Sequence, residues 1–159
     1  MKEKKEHLGD KAAVKGTMLQ AHLAWAGAKV KDVVPKIQAL LGPPARDLAD
    51  RSVLATDWIP FRSLIEIDRA IAKVVGDAPE SSFRELGRHS ASLNLGGVYK
   101  NFVAEEPHRF FEQMALLHGR FQNFGRSAYE RTGPHSGRIR IEGYEEYSPV
   151  FCTSGLGYY

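Results

Sequence analysis

The residue in this chain with the most chemistry to offer is His118. Phe110, Met114, Leu117 and Phe121 recur at steps of four, three and four, the spacing of one helix face, and Phe111 widens that face. His118 stands four residues past Met114 and so borders the same face. A neutral imidazole there has two uses. It can ligate heme iron, with the aromatic stripe as the surface against which a flat ring packs, or it can fill the edge of a core and hydrogen-bond a carbonyl, the more common role.

The other candidates are weaker. Cys152 is the single cysteine, so it forms no intrachain disulfide and no cysteine-rich zinc site, and it reads as a small buried apolar residue. Arg84, Arg88, Arg126, Arg138 and Arg140 would recognise an anion if they converged, but a solvated face explains them first. His7, His22, His89, His108 and His135 are scattered, none with a carboxylate at metal spacing on its own element. No serine sits in a nucleophile elbow, and no glycine-rich phosphate loop follows a strand. These patterns favour a protein that is not an enzyme.

The elements that must position His118 follow from periodicity. Val14 to Leu23 reads as a short strand passing into a helix. Val30, Val33, Val34, Ile37, Leu40 and Leu41 predict an amphipathic helix over 29–41, stopped by Gly42, Pro43 and Pro44. A further turn is expected in 46–54. Pro60 reads as the first residue of a helix running to Val75, with Phe61, Leu64, Ile65, Ile67, Ile71 and Val74 inward. Ser82 and Glu85 form a capping-box pattern that would open a long helix from Ser82 to about Val103. That helix carries Gly87, Ser90, Ala91, Gly96 and Gly97. Glycines inside a helix cost roughly 1 kcal/mol each relative to alanine, so another backbone, a bend or a ligand is expected at Gly96 and Gly97. After the His118 helix, 127–132 and 138–144 read as a hairpin around the turn at 133–137, with Ile139 and Ile141 inward and Arg138 and Arg140 outward. Ser148 and Pro149 start a final helix weakened by Gly155 and Gly157.

Composition bounds the answer. With 159 residues, 43% of them hydrophobic, one domain with a real core is expected, over 13–159, behind a basic flexible tail at 1–12. The net charge of +3 is spread along the chain, with Lys2, Lys4 and Lys5 broken by Glu3 and Glu6, so nucleic acid is not implied. No run reaches the length of a membrane span, and no apolar segment follows the basic start as in a signal peptide. A cytoplasmic location is the expectation.

Five ordered landmarks carry a resemblance: VKGT at 14–17, DWIPF at 57–61, ELGR at 85–88, GGVYKNF at 96–102 and SGLGYY at 154–159. Together they resemble an uncharacterised paralogous family of myxobacterial proteins. That family in turn looks like a distant member of the superfamily joining heme nitric-oxide-binding domains, 4-vinyl-reductase-like domains and TRAPP-type trafficking subunits. The resemblance implies an α+β fold, with several helices packed on a small antiparallel sheet. Related domains run on past the glycine-rich final helix into further strands, whereas this chain stops at Tyr159. That implies either a fragment or a sheet completed by a partner. In the heme domains a leucine-histidine pair supplies the iron ligand, and Leu117 and His118 match it. Those domains also clamp the propionates with Y-x-S-x-R; the nearest segment here, YEEYSPV at 144–150, has no arginine.

The expectation is therefore a sensory or regulatory domain that binds a small apolar or acyl-type molecule and signals through a protein partner or a homodimer. Gly96, Gly97, Phe111, Met114, His118 and Phe121 are its expected ligand-binding residues. No cofactor is called for by the residues alone; the alternatives are a heme-based gas sensor with His118 as axial ligand, and a ligand-free structural adaptor.

Overall fold

A computed structural model of the chain describes residues 12–76, 79–97, 99–144 and 148–159. Among these, seven helices and two small antiparallel sheets confirm the α+β class. Of the tail expected at 1–12 all but Ala12 lies outside the described residues, as do Asp77, Val98 and Tyr147.

The first sheet is short. Strand β1 (Ala13–Lys15) leads straight into helix α1 (Gly16–Lys29), and pairs antiparallel with β2 (Trp58–Pro60) in the register Val14 to Ile59. Gly16 sits at that corner because the backbone of Leu54 passes there: a Cβ on Gly16 would stand 2.2 Å from the Leu54 carbonyl oxygen.

The helix expected over 29–41 is instead two pieces. Helix α1 ends at Lys29, Val30 is extended, Asp32 takes a left-handed conformation, and α2 covers only Val33–Gln38. Pro35 is the reason, since it has no N–H to bond back toward Lys31 and its ring would strike that carbonyl. Helix α3 (Pro43–Asp50) uses Pro43 and Pro44 in its first turn, where a missing N–H costs nothing, so the prolines that stop one helix start another. Pro60 closes β2 and caps α4 (Phe61–Val75), which Gly76 ends in the left-handed region.

Helix α5 (Pro79–Gly96) corrects two expectations. It begins three residues before Ser82, so Ser82 is no cap: it lies inside the helix, fully buried, and its hydroxyl finds no partner among the described residues. Glu85 is paired with Lys29 of α1 at 2.6 Å. The helix also stops at Gly96 and gives way to a 3-10 turn at Lys100–Phe102, the Asn94 carbonyl accepting from Tyr99 N–H at 3.0 Å. Gly96 and Gly97 therefore end a helix instead of weakening its middle.

Helix α6 (Pro107–Phe121) is capped by Glu106, whose carboxylate accepts from His108 N–H and Arg109 N–H at 3.1 and 2.7 Å. Those bonds hold the Glu106 carboxyl below the usual carboxylate range. The hairpin follows as β3 (Arg126–Gly133) and β4 (Ser136–Glu142), with Tyr129 opposite Ile139. It is fastened to the start of α6 through His108, whose ring nitrogens meet the Tyr129 hydroxyl at 2.6 Å and the Pro134 carbonyl oxygen at 2.8 Å. Helix α7 (Pro149–Tyr158) closes the described chain, its first turn capped by Ser148.

Two cores result. The larger surrounds α4, where Phe61, Leu64, Ile67 and Ile71 are almost fully buried with Val14, Leu19, Ile37 and Leu86. The smaller is Met114, Leu117 and Phe121 of α6.

Candidate ligand cavity beside His118

Helix α6 turns His118 inward beside Met114 and Phe121, and all three line a cavity of about 510 Å³. Its other walls come from Met18 and His22 of α1, Ser90 of α5, Ile139 and Ile141 of β4, Tyr144, and most of α7. The volume lies within the range of small-molecule pockets. Ile139 and Ile141 face this space while Arg138 and Arg140 alternate away from it, which leaves Ile141 47% exposed at the wall.

The other expected site residues stand elsewhere. Gly96 and Gly97 are exposed at the end of α5, away from the cavity lining. Phe111 packs on Phe110 and stacks with Tyr129 at 5.6 Å, supporting the hairpin. The close approach of backbones that a small-residue helix implies occurs further back, where α5 crosses α7. A Cβ on Gly87 would stand 1.9 Å from the Ser154 carbonyl oxygen, and one on Gly157 would stand 2.0 Å from that of Arg84. Because α7 lies so close on α5, its other side is free to wall the cavity.

Around His118 the polar groups are few and connected. Gln122 is held by its backbone bridge to Val14, and its amide donates to the Phe124 carbonyl oxygen at 3.0 Å. The same amide nitrogen stands 3.0 Å from His118 Nε2 and donates to the Tyr144 hydroxyl. Burial pushes His118 below the ordinary histidine range, against a smaller opposite pull from the Phe124 backbone. Burial likewise holds the Tyr144 hydroxyl up at about 12, so it remains an O–H.

A pH dependence follows from His118. Since the folded protein protonates this ring less readily than the unfolded chain, the unfolded chain takes up the proton first as pH falls through the ordinary histidine value of about 6.5. The stability His118 contributes is full above that value and is lost as pH drops from it toward the folded one. Urea midpoints at pH 7.5 and pH 5 should therefore differ more in the wild type than in His118→Gln. An equal difference in both proteins would show that the ring is not shielded.

Among the described residues no Lys, Arg, Asp or Glu side chain lines the cavity. The arginines considered as an anion site lie outside it and do not converge: Arg126 pairs with Glu142, Arg140 with Glu130 and Arg84 with Glu80, all exposed. Cys152, expected to be buried, is exposed and on the cavity wall, because Val150 and Ser154 take the inward positions of α7. Partial burial still pushes its thiol up. Among the described residues no group of three or more His, Cys, Asp or Glu could hold a metal ion, and no helix is long and apolar enough to cross a membrane.

Sequence reasoning missed one buried pair. His22 Nδ1 lies 2.7 Å from Asp68 Oδ1, with side chains 3% and 0% exposed. The signal was present: Asp68 falls four residues after Leu64 and three before Ile71, on the apolar stripe of α4.

A heme in this cavity can be tested against these residues. At the iron they fit, since burial disfavours the protonated form of the His118 imidazole, whose Nε2 stands 3.0 Å from the Gln122 amide nitrogen. At the propionates they do not. Tyr144 and Ser148 both line the cavity, but the position two residues past Ser148 is Val150, buried, and among the described residues no Lys or Arg of the lining replaces the missing arginine.

No protein-family model matches the chain, and no curated protein matches it. Solved structures do. The chain is similar to a protein described for modulation of heme redox potential by protein-induced porphyrin distortion, with a TM-score of 0.65 and 14% identity over 91% of this chain and 80% of that one. An oxygen-binding H-NOX domain related to soluble guanylate cyclases, in its oxygen complex, gives the same TM-score and identity over 90% of this chain and 73% of its own. An H-NOX variant with two introduced phenylalanines does so over 91% and 76%. At this identity the likeness establishes a shared fold.

Proposed function

We propose that this chain is a non-catalytic sensory domain whose cavity binds a mostly apolar, uncharged molecule against His118. The observation that carries this reading is the lining itself: a pocket of about 510 Å³ with aliphatic and aromatic walls, a few hydroxyls and an amide, and, among the described residues, no charged Lys, Arg, Asp or Glu side chain. An uncharged ligand loses little on entering such walls, whereas an ion would lose its hydration without a counter-charge. Occupancy would be felt first by α7, which supplies the largest share of the wall and touches α5 backbone to backbone at Gly87 and Gly157. A shift of α7 is then the signal passed to a protein partner or a second copy of the chain.

Heme is the second reading, and the likeness to H-NOX domains favours it over an acyl-type ligand. His118 would be its axial ligand, and heme would supply an iron site for a diatomic gas. The unclamped carboxylates count against it.

One preparation tests both. Native mass spectrometry of the purified protein is expected to show an adduct of small-molecule mass that denaturation removes, in a colourless sample. Hemin titration should give no saturable Soret band. A stoichiometric Soret band that His118→Ala abolishes would replace this reading with the heme sensor. A protein that carries no adduct and binds neither hemin nor an apolar probe would leave only the adaptor.

A further inference from the structure

The His22–Asp68 pair has no role in the reading above, yet His22 is part of the cavity wall. Asp68 is fully buried among the core residues of α4; His22 Nδ1 is its one hydrogen-bond partner among the described residues, and its Oδ2 has none. An ionised carboxylate beside a neutral imidazole would place a net charge in this core without a counter-charge, which is strongly unfavourable. Two arrangements keep the pair neutral overall. Either the carboxylate faces an imidazolium, or a protonated Asp68 donates to Nδ1 of a neutral ring. In both, Nε2 of His22 bears a hydrogen. Nδ1 is engaged by Asp68, His22 lines the cavity, and Nε2 has no hydrogen-bond partner among the described residues.

We propose that His22 is a ligand-reading residue of the cavity, its Nε2–H donating to a carbonyl oxygen on the occupant, with Asp68 as its positioning residue. The occupant is then an apolar ketone, ester or amide and not a hydrocarbon. An anionic ligand is disfavoured because the described lining offers no cation beyond the already neutralised pair. This inference rests on the cavity being a ligand site.

Two isosteric probes separate the claims: valerophenone and pentylbenzene, which differ by a carbonyl in place of a methylene. In the full chain, replacing the whole pair as His22→Leu/Asp68→Leu should weaken valerophenone about ten-fold relative to pentylbenzene, the loss of one good hydrogen bond. Should both probes bind and the variant weaken them equally, His22 reads nothing and the cavity reading survives. If neither binds the wild type, the cavity reading falls and this inference with it. Nitrogen-15 NMR of the wild-type imidazole is independent of any variant's folding: His22 Nε2 should resonate as a protonated nitrogen and shift when valerophenone is added. A bare Nε2 would overturn the proposal.

Discussion

Gly87→Ala is expected to lower the melting temperature of the chain by roughly 6–12 °C, the equivalent of about 3 kcal/mol for a protein of this size. The atom that a new Cβ would meet is a carbonyl oxygen of the α7 backbone, at 1.9 Å, with the Ser154 carbonyl carbon and the Tyr158 nitrogen both at 2.9 Å. No side-chain rotation relieves that clash, so α7 must move as a unit or the α5–α7 crossing must open. Gly157→Ala should act alike from the other side, against Arg84. Gly96→Ala is the control. Nothing lies within 4 Å of its Cβ, and a helical glycine replaced by alanine gains up to about 1 kcal/mol. Circular-dichroism melts of the three variants check the set; a Gly87→Ala protein melting within 2 °C of wild type would mean that these helices do not cross where they are placed. Because α7 also walls the cavity, Gly87→Ala should weaken binding of an apolar probe at temperatures where the protein is still folded.

The contrast between Gly87 and Gly96 shows what was legible in the sequence. Small residues on one helix announce that something comes close, but periodicity carries no information about which of them meets it. That is decided by a helix more than fifty residues later in the chain. Adjacent glycines at 96 and 97 looked like the more costly feature, and they turn out to be where α5 stops. The His118 stripe was readable because a helix shows its buried face in its own spacing: Met114, Leu117, His118 and Phe121 are all buried. Ile139 and Ile141 were readable for the same reason in a strand. The cavity's remaining walls were not. Met18 and His22 of α1 and the mouth side of α7 belong to segments whose apolar residues wrap around the helix, so no face could be chosen from local pattern. The break at 30–32 and the false cap at Ser82 are local failures of another kind. Both turned on a proline, Pro35 and Pro79, whose consequence for the neighbouring turn outweighed the pattern around it.

Asp68→Ala tests the part of the site that the sequence hid, and the expected loss is about 3–5 kcal/mol, the cost of leaving one member of a buried pair alone. The chain would retain an imidazole shaped for a partner that is gone, beside a void where the carboxylate stood, in a core of Leu64, Ile67 and Ile71 packed to near-complete burial. Replacing both residues should behave differently. In His22→Leu/Asp68→Leu nothing polar is left unpaired, and pairs of this kind exchanged for apolar residues of similar volume are often neutral. Urea unfolding should place the double variant within about 1.5 kcal/mol of wild type, the range of a volume-conserving core exchange. The single variant should lie far below both. The difference measures coupling instead of mere packing, since a lost side chain without a partner would cost the same in either background. A loss in the double variant equal to the sum of those in His22→Leu and Asp68→Leu alone would show that the two side chains are uncoupled, and the polar spot at His22 on the cavity wall would lose its physical basis. Near-full recovery in the double variant would instead show that the pair is dispensable to folding, which leaves its place beside the cavity as the reason for having it.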